Sequence, residues 1–122
     1  MRVILRNPHA DDGRDFQYSL TVGREYEVLG LCIDSFRLLN DKDEPILYDT
    51  CCFEVSDAAE PEFWVSHDSE EGERYAHPAE WSRPGYFEDW HDGVPAVVAC
   101  FWRDLERLYP WTAAERRTRR CT

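Results

Sequence analysis

The chain has 122 residues, 43% of them hydrophobic and 14% aromatic, which suffices for one domain with a buried core. Its 25 acids outnumber its 14 bases, giving a net charge of −11 at pH 7. That balance excludes a non-specific nucleic-acid binder, which needs cationic surface to release phosphate counterions, and it disfavours docking to anionic lipid.

Arg2–Arg6 (RVILR) reads as a first short strand. Val3-Ile4-Leu5 is far shorter than the apolar stretch of about 7–15 residues in a secretory signal. No window approaches the roughly 20 apolar residues of a membrane span, so a cytoplasmic location is expected. Asn7–Asp15, with Pro8, Gly13 and three Asp, is a loop. The alternation of Phe16, Tyr18 and Leu20 with Gln17 and Ser19 then predicts a strand, and Thr21–Gly23 a turn. Glu25–Ile33 is a longer strand with Tyr26, Val28, Leu31 and Ile33 as inward candidates. Their parity changes across Gly30, which marks a bulge or a bend. Phe36–Leu39, Ile46–Tyr48 and Phe53–Ser56 complete a run of short strands, joined by the polar turn Asn40–Glu44 and a corner at Asp49–Cys52. Strands this short and closely spaced protect their edges by curling, so a small, strongly bent antiparallel sheet or small barrel is expected.

Residues 57–92 change character, with 11 acids against Arg74 and Arg83, a net of −9. They also hold Phe63, Trp64, Tyr75, Trp81, Tyr86, Phe87 and Trp90, a content that favours folding over disorder. Ser66–Gly72 reads as a turn between two extended pieces, and Pro78–Trp81 and Pro84–Trp90 as helical turns. Asp92 is placed to cap a helix from Val94, with Pro95 in its first turn. Val94, Val97, Val98, Phe101, Leu105 and Leu108 form its apolar stripe, and Pro110 ends it. An isolated helix of this length is marginal, so the stripe is expected to pack on the sheet. Thr112–Thr122, with four Arg against Glu115, reads as a basic flexible tail. The expected organisation is one α+β domain over residues 1–111, followed by the tail at 112–122. Within that domain, 2–56 is β-rich, 57–92 acidic and aromatic-rich, and 93–109 a helix.

Motifs for chemistry are sparse. Five cysteines (Cys32, Cys51, Cys52, Cys100, Cys121) are an odd set without a Cys-x-x-Cys, so reduced thiols, no bound metal and no cofactor are expected. If the adjacent pair lies in a strand, Cys51 and Cys52 face opposite sides. Cys121 is the thiol most open to oxidation. There is no phosphate loop, no His-Glu-x-x-His and no serine elbow. An enzymatic reading is left with His67, His77 and His91 converging on Cys32 or Cys52, which geometry and not spacing would have to establish. The chain is therefore read as a binding protein and not an enzyme. Its candidate partner contacts are the acids Asp68, Glu70, Glu71 and Glu73 and the interleaved Trp81, Tyr86, Phe87, Glu88, Asp89, Trp90 and Asp92. Aromatics anchor an interface and carboxylates select Arg and Lys, so the partner expected is a basic protein.

Three stretches carry a resemblance: Leu20–Leu31, Phe36–Asp49 and Cys52–Asp57. The matching positions are Val22, Gly23, Tyr26, Val28 and Gly30, then Asn40, Asp41, Glu44 and Pro45, then Phe53, Glu54, Val55 and Asp57. Over residues 20–57 the chain resembles a group of small bacterial proteins with an SH3-like barrel, suspected to be immunity partners of secreted polymorphic toxins. The resemblance implies an SH3-like barrel for the β-rich part, on which the C-terminal amphipathic helix is expected to pack. It also implies a monomer that forms a heterodimer with a basic toxin domain, such as a nuclease, and neutralises it. The alternatives from the residues alone are an acidic regulator or nucleic-acid mimic binding a cationic host or phage protein, and a small enzyme with a scattered His/Cys/acid site.

Overall fold

The alternating stretches fold as strands in a computed structural model, which describes residues 1–120. The strands are β1 (Arg2–Leu5), β2 (Glu25–Cys32), β3 (Ser35–Leu39), β4 (Pro45–Asp49), β5 (Phe53–Asp57), β6 (Trp64–Asp68) and β7 (Arg74–Pro78). They form one antiparallel seven-stranded sheet in the order β4-β3-β2-β1-β5, with β7 on β2 and β6 on β7. The expected barrel is therefore corrected: among the described residues the sheet is open, with no pairing between its end strands β4 and β5, and it is neither closed nor strongly curled. The physical reason lies in β2. Its far edge is shared by β1, at Glu25–Glu27, and by β7, at Leu31 and Cys32, so the hairpin from the acidic segment widens the sheet where a barrel would close.

The core of this first unit, Met1–Pro78, lies on one face of the sheet. Val3, Leu5, Tyr26, Val28, Phe36, Leu38, Tyr48, Trp64 and Ala76 supply it from the strands. Register shifts between Val28 and Gly30, which places the expected bulge at Leu29 and swaps the buried parity to Leu31. Ile33 is not inward: it sits 42% exposed in the β2–β3 turn. Phe16–Leu20 is not a strand either. Ser19 and Leu20 N–H groups both donate to the Phe16 carbonyl, so one tight turn buries Phe16 and Leu20 on the core and leaves Tyr18 outside. Alternation at i, i+2 and a single turn at i, i+4 share two of these three positions. Cys52 is buried and Cys51 exposed, within a short 3-10 turn, Thr50–Cys52.

The second unit starts at Ala79. After a 3-10 turn at Ala79–Trp81 come α1 (Tyr86–His91), α2 (Pro95–Leu108) and α3 (Pro110–Arg120). Pro95 opens α2, but the residue preceding it as cap is Val94. Asp92 instead closes α1, its N–H donating to the Glu88 carbonyl. Within α2 the stripe is fully buried only at Phe101 and Leu105. Pro110 ends α2 and starts another helix, since its missing N–H costs nothing in a first turn. Residues expected in a flexible tail thus form α3, with Thr112, Ala113 and Arg116 buried. The expectation for Cys121 lies outside the described residues. Among the described residues, no helix is long and apolar enough to cross a membrane.

Candidate functional site

The β6–β7 hairpin concentrates the unneutralised charge of the first unit. Its turn is closed by the Ser69 N–H donating to the Glu73 carbonyl at 2.8 Å and the Gly72 N–H donating to the Ser69 carbonyl at 2.9 Å. Gly72 takes φ +79°, a value that a β-carbon disfavours, so glycine is needed there. The turn carries Glu70 and Glu71, flanked by Asp68 and Glu73, and none of these four has an ion pair among the described residues. The one Arg of the two strands, Arg74, is held by both Glu60 oxygens at 2.6 and 2.7 Å. Elsewhere in this unit arginines quench acids in the same way. Arg2 faces Glu25 and Asp57, Arg6 holds Glu54, Arg14 takes Asp12 and Asp49, and Arg24 takes Asp41.

Beside these carboxylates lies an aromatic and apolar strip on the sheet face opposite the core. Register places Val65 across from His77, and His67 across from Tyr75, which in turn lies beside Cys32 of β2. The His67 and Tyr75 rings stack at 5.1 Å and 9°, and His77 meets His67 edge-on at 5.7 Å. Partial desolvation, then the charges of Cys32, Glu73 and Glu71, hold the Tyr75 hydroxyl above its ordinary value. His77 is pushed down by burial first, then by His67 and Arg37, so the imidazole is held neutral, with Nε2 buried and without a hydrogen-bond partner among the described residues. Ile33 abuts the strip, its N–H donating to the Arg74 carbonyl at 3.0 Å, and Val65 is 43% exposed. Asp34 follows Ile33 in the same turn. Ile33, Asp34 and Val65 were not among the candidates from the sequence. The signal for them was a two-residue link between Cys32 and Ser35 that contains no glycine, so that Ile33 adopts φ +57°.

The other candidate residues belong to the second unit. Trp81 and Tyr86 are core side chains. Trp81 stacks on Phe101 at 4.8 Å and on Tyr109 at 5.6 Å, and its Nε1 donates to Asp104 at 3.2 Å. Burial, then the charges of Asp104 and Cys100, push the Tyr86 hydroxyl up to about 12. Phe87 and Trp90 are half-buried, each edge-on to Phe101. Asp89 pairs with Arg83 at 2.9 Å, while Glu88 and Asp92 are free of ion pairs among the described residues. The eleven candidates thus split between the two units. A groove of about 210 Å³ between α2 and α3 is lined by Trp102, Leu105 and Ala113, with Arg103, Arg116 and Arg117 against Glu106, a charge opposite to that of the hairpin.

The geometry brings His67 and His77 onto one face with Cys32 nearby, but Cys52 lies on the core face and His91 in the second unit. No hydrogen bond joins Cys32 to either histidine among the described residues. Among the same residues no group of three or more His, Cys, Asp or Glu is placed to hold a metal ion. No family model matches the chain, and no curated protein or solved structure matches it.

Proposed function

We propose that this chain is a binding protein that captures a basic protein partner in the cytoplasm, and that its role is to neutralise a toxin domain. The observation that supports this is the β6–β7 hairpin, where Asp68, Glu70, Glu71 and Glu73 lack ion pairs among the described residues while Arg74 is held by Glu60. The four carboxylates lie at the hairpin end of a strip that carries Ile33, Val65 and the His67–Tyr75 stack, so charge and a small apolar surface sit side by side. Such a surface selects Lys and Arg and repels nucleic acid. The toxin role rests on the resemblance of residues 20–57, and a nuclease fits because its own substrate surface is cationic. The pair works without a cofactor, one chain to one partner, by covering the partner's surface.

Parallel affinity capture with the natural chain and with a Glu70→Lys, Glu71→Lys, Glu73→Lys variant tests the reading. A basic protein held by the natural chain and lost on the variant is the expected result. An acidic captured protein, or equal capture by both chains, rejects it.

A further inference from the structure

The β6 strand is the outermost strand of its branch of the sheet. Among the described residues it pairs with β7 alone, and Val65, Ser66, His67 and Asp68 are all exposed. The hairpin closure fixes which backbone groups point outward. Because Ser69 donates inward to Glu73, alternation makes His67–Tyr75 and Val65–His77 the hydrogen-bonded pairs and leaves the N–H and C=O of Ser66 and Asp68 directed away from β7. The Arg74 carbonyl agrees, since it faces the other way and accepts from Ile33. This five-residue edge is lightly guarded: Trp64–Asp68 contains no Lys, no Pro and no register break against β7, and its one charged side chain is Asp68, at the hairpin end.

We infer that the outer edge of β6 is a docking edge, to which an extended basic segment of the partner adds as an eighth strand. The inference rests on the reading of the chain as a binder of a basic protein and supplies its mode. Charge selects the occupant. Asp68, Glu70, Glu71 and Glu73 stand at the hairpin end of the edge. A second copy added in parallel would set like charges side by side, and one added antiparallel would bring Trp64, not a base, beside Asp68, whereas a segment rich in Lys or Arg is drawn in. The two other end strands are poorer matches: on β5 Arg6 holds Glu54 and Arg2 faces Asp57, and β4 opens at Pro45 and has Asp49 held by Arg14. Backbone hydrogen bonds from Ser66 and Asp68 would supply affinity. Val65 and His67 on one face, with Ser66 on the other, would read the alternating side chains.

The probe is a short blocked peptide of alternating lysine and valine, titrated at low salt beside a counterpart N-methylated along its whole backbone. Both carry the same charges and side chains. The natural chain is expected to bind the first at least about tenfold more tightly, with hydrogen exchange at the Ser66 and Asp68 amides slowed by about tenfold or more. Ser66→Pro removes an outward N–H without touching the ladder to β7, and it should bind both peptides equally weakly. If that variant does not fold, the exchange measurement on the natural chain decides alone. Equal binding of the two peptides overturns strand addition and leaves the acidic-surface reading standing. Binding of neither peptide, or amide protection at Ser66 and Asp68 that depends on protein concentration without peptide, also overturns it. The capture experiment with the lysine variant judges the parent reading separately.

Discussion

At the scale of single residues, the polar side chain set deepest in the first unit is Asn40. It is 1% exposed, and it organises the β3–β4 turn. Its Oδ1 accepts from the Lys42 and Glu44 N–H groups at 2.9 and 3.0 Å, and its Nδ2 donates to the Tyr48 hydroxyl at 3.2 Å. Removing it strands two backbone donors and takes one of two hydrogen bonds from the buried Tyr48 hydroxyl, which keeps Ser19. Asn40→Ala should therefore cost about 2–4 kcal/mol in urea melts, and a cost under about 0.5 kcal/mol would refute this role. His77 offers a test by pH. Burial, then His67 and Arg37, hold its folded value below the ordinary 6.5. The unfolded chain takes up the proton first as pH falls, so this contribution is complete above pH 6.5 and is lost progressively below it, down to the folded value. A His77→Gln variant should show a flatter fall of melting temperature between about pH 7 and 5 than the natural chain. Parallel curves would show that the buried imidazole does not drive the acid loss. The sequence marked Asn40 as a turn residue because Asn closes such turns on its own backbone, but nothing in it told that the turn is buried. That depends on Tyr48 and Ser19, brought in from outside the turn and bonded to each other at 2.8 Å.

At the scale of elements, local periodicity was readable where one element answers to one partner. The bulge by Gly30 and the start and stop of α2 near Pro95 and Pro110 follow from residues within a few positions of each other, whereas the turn expected at Ser66–Gly72 is confined to residues 69–72, with Ser66–Asp68 in β6. The Phe16–Leu20 turn and the seven-stranded layout were not readable in this way. Phe16 and Leu20 satisfy a strand pattern as well as a turn. Only the Phe16–Tyr48 contact, rings edge-on at 4.8 Å, decides between them, and it joins residues far apart in the chain. The open sheet likewise depends on β7 reaching β2, a pairing that crosses from the acidic segment to the β-rich one. In the second unit, Phe101 is the hub of α2. It is fully buried, stacked on Trp81 and edge-on to Phe87, Trp90 and Trp102. Phe101→Ala should destabilise by about 3–5 kcal/mol, combining lost contact with a cavity that rigid rings cannot close. A thermal melt followed by near-ultraviolet circular dichroism reads the tryptophans directly. Superposition of that melt on the natural one would remove Phe101 from this role.

At the scale of the whole molecule, the net charge of −11 is not spread evenly. The sequence located it correctly in the segment 57–92 but treated that segment as one acidic surface. Arg74 and Glu60, and Arg107 and Glu80, show why this was too coarse: each Arg silences an acid that the sequence counted as available, and Arg107 comes from beyond the segment. What survives among the described residues is the hairpin from Asp68 to Glu73 together with Glu62 in the first unit, and Glu88 and Asp92 in the second. The hairpin's carboxylates are exposed, so they act on a partner through solvent with a screening length of about 8 Å at physiological salt. A charge acting at that range accelerates encounter, while contacts made after encounter govern release. Raising salt should therefore slow association with the captured partner much more than it speeds dissociation. Glu70→Lys, Glu71→Lys and Glu73→Lys together move the net charge to −5 and invert the local field. At low salt they should lower the association rate by about one order of magnitude. Their effect should shrink as salt rises, because the field they reverse is the one that salt removes. Trp90→Ala provides the contrast. Trp90 is edge-on to Phe101, so its truncation should lower the melting temperature of the free chain, as the lysine variants should not. Stopped-flow association over a salt series separates these behaviours, and an association rate flat from low to high salt would reject steering by the hairpin.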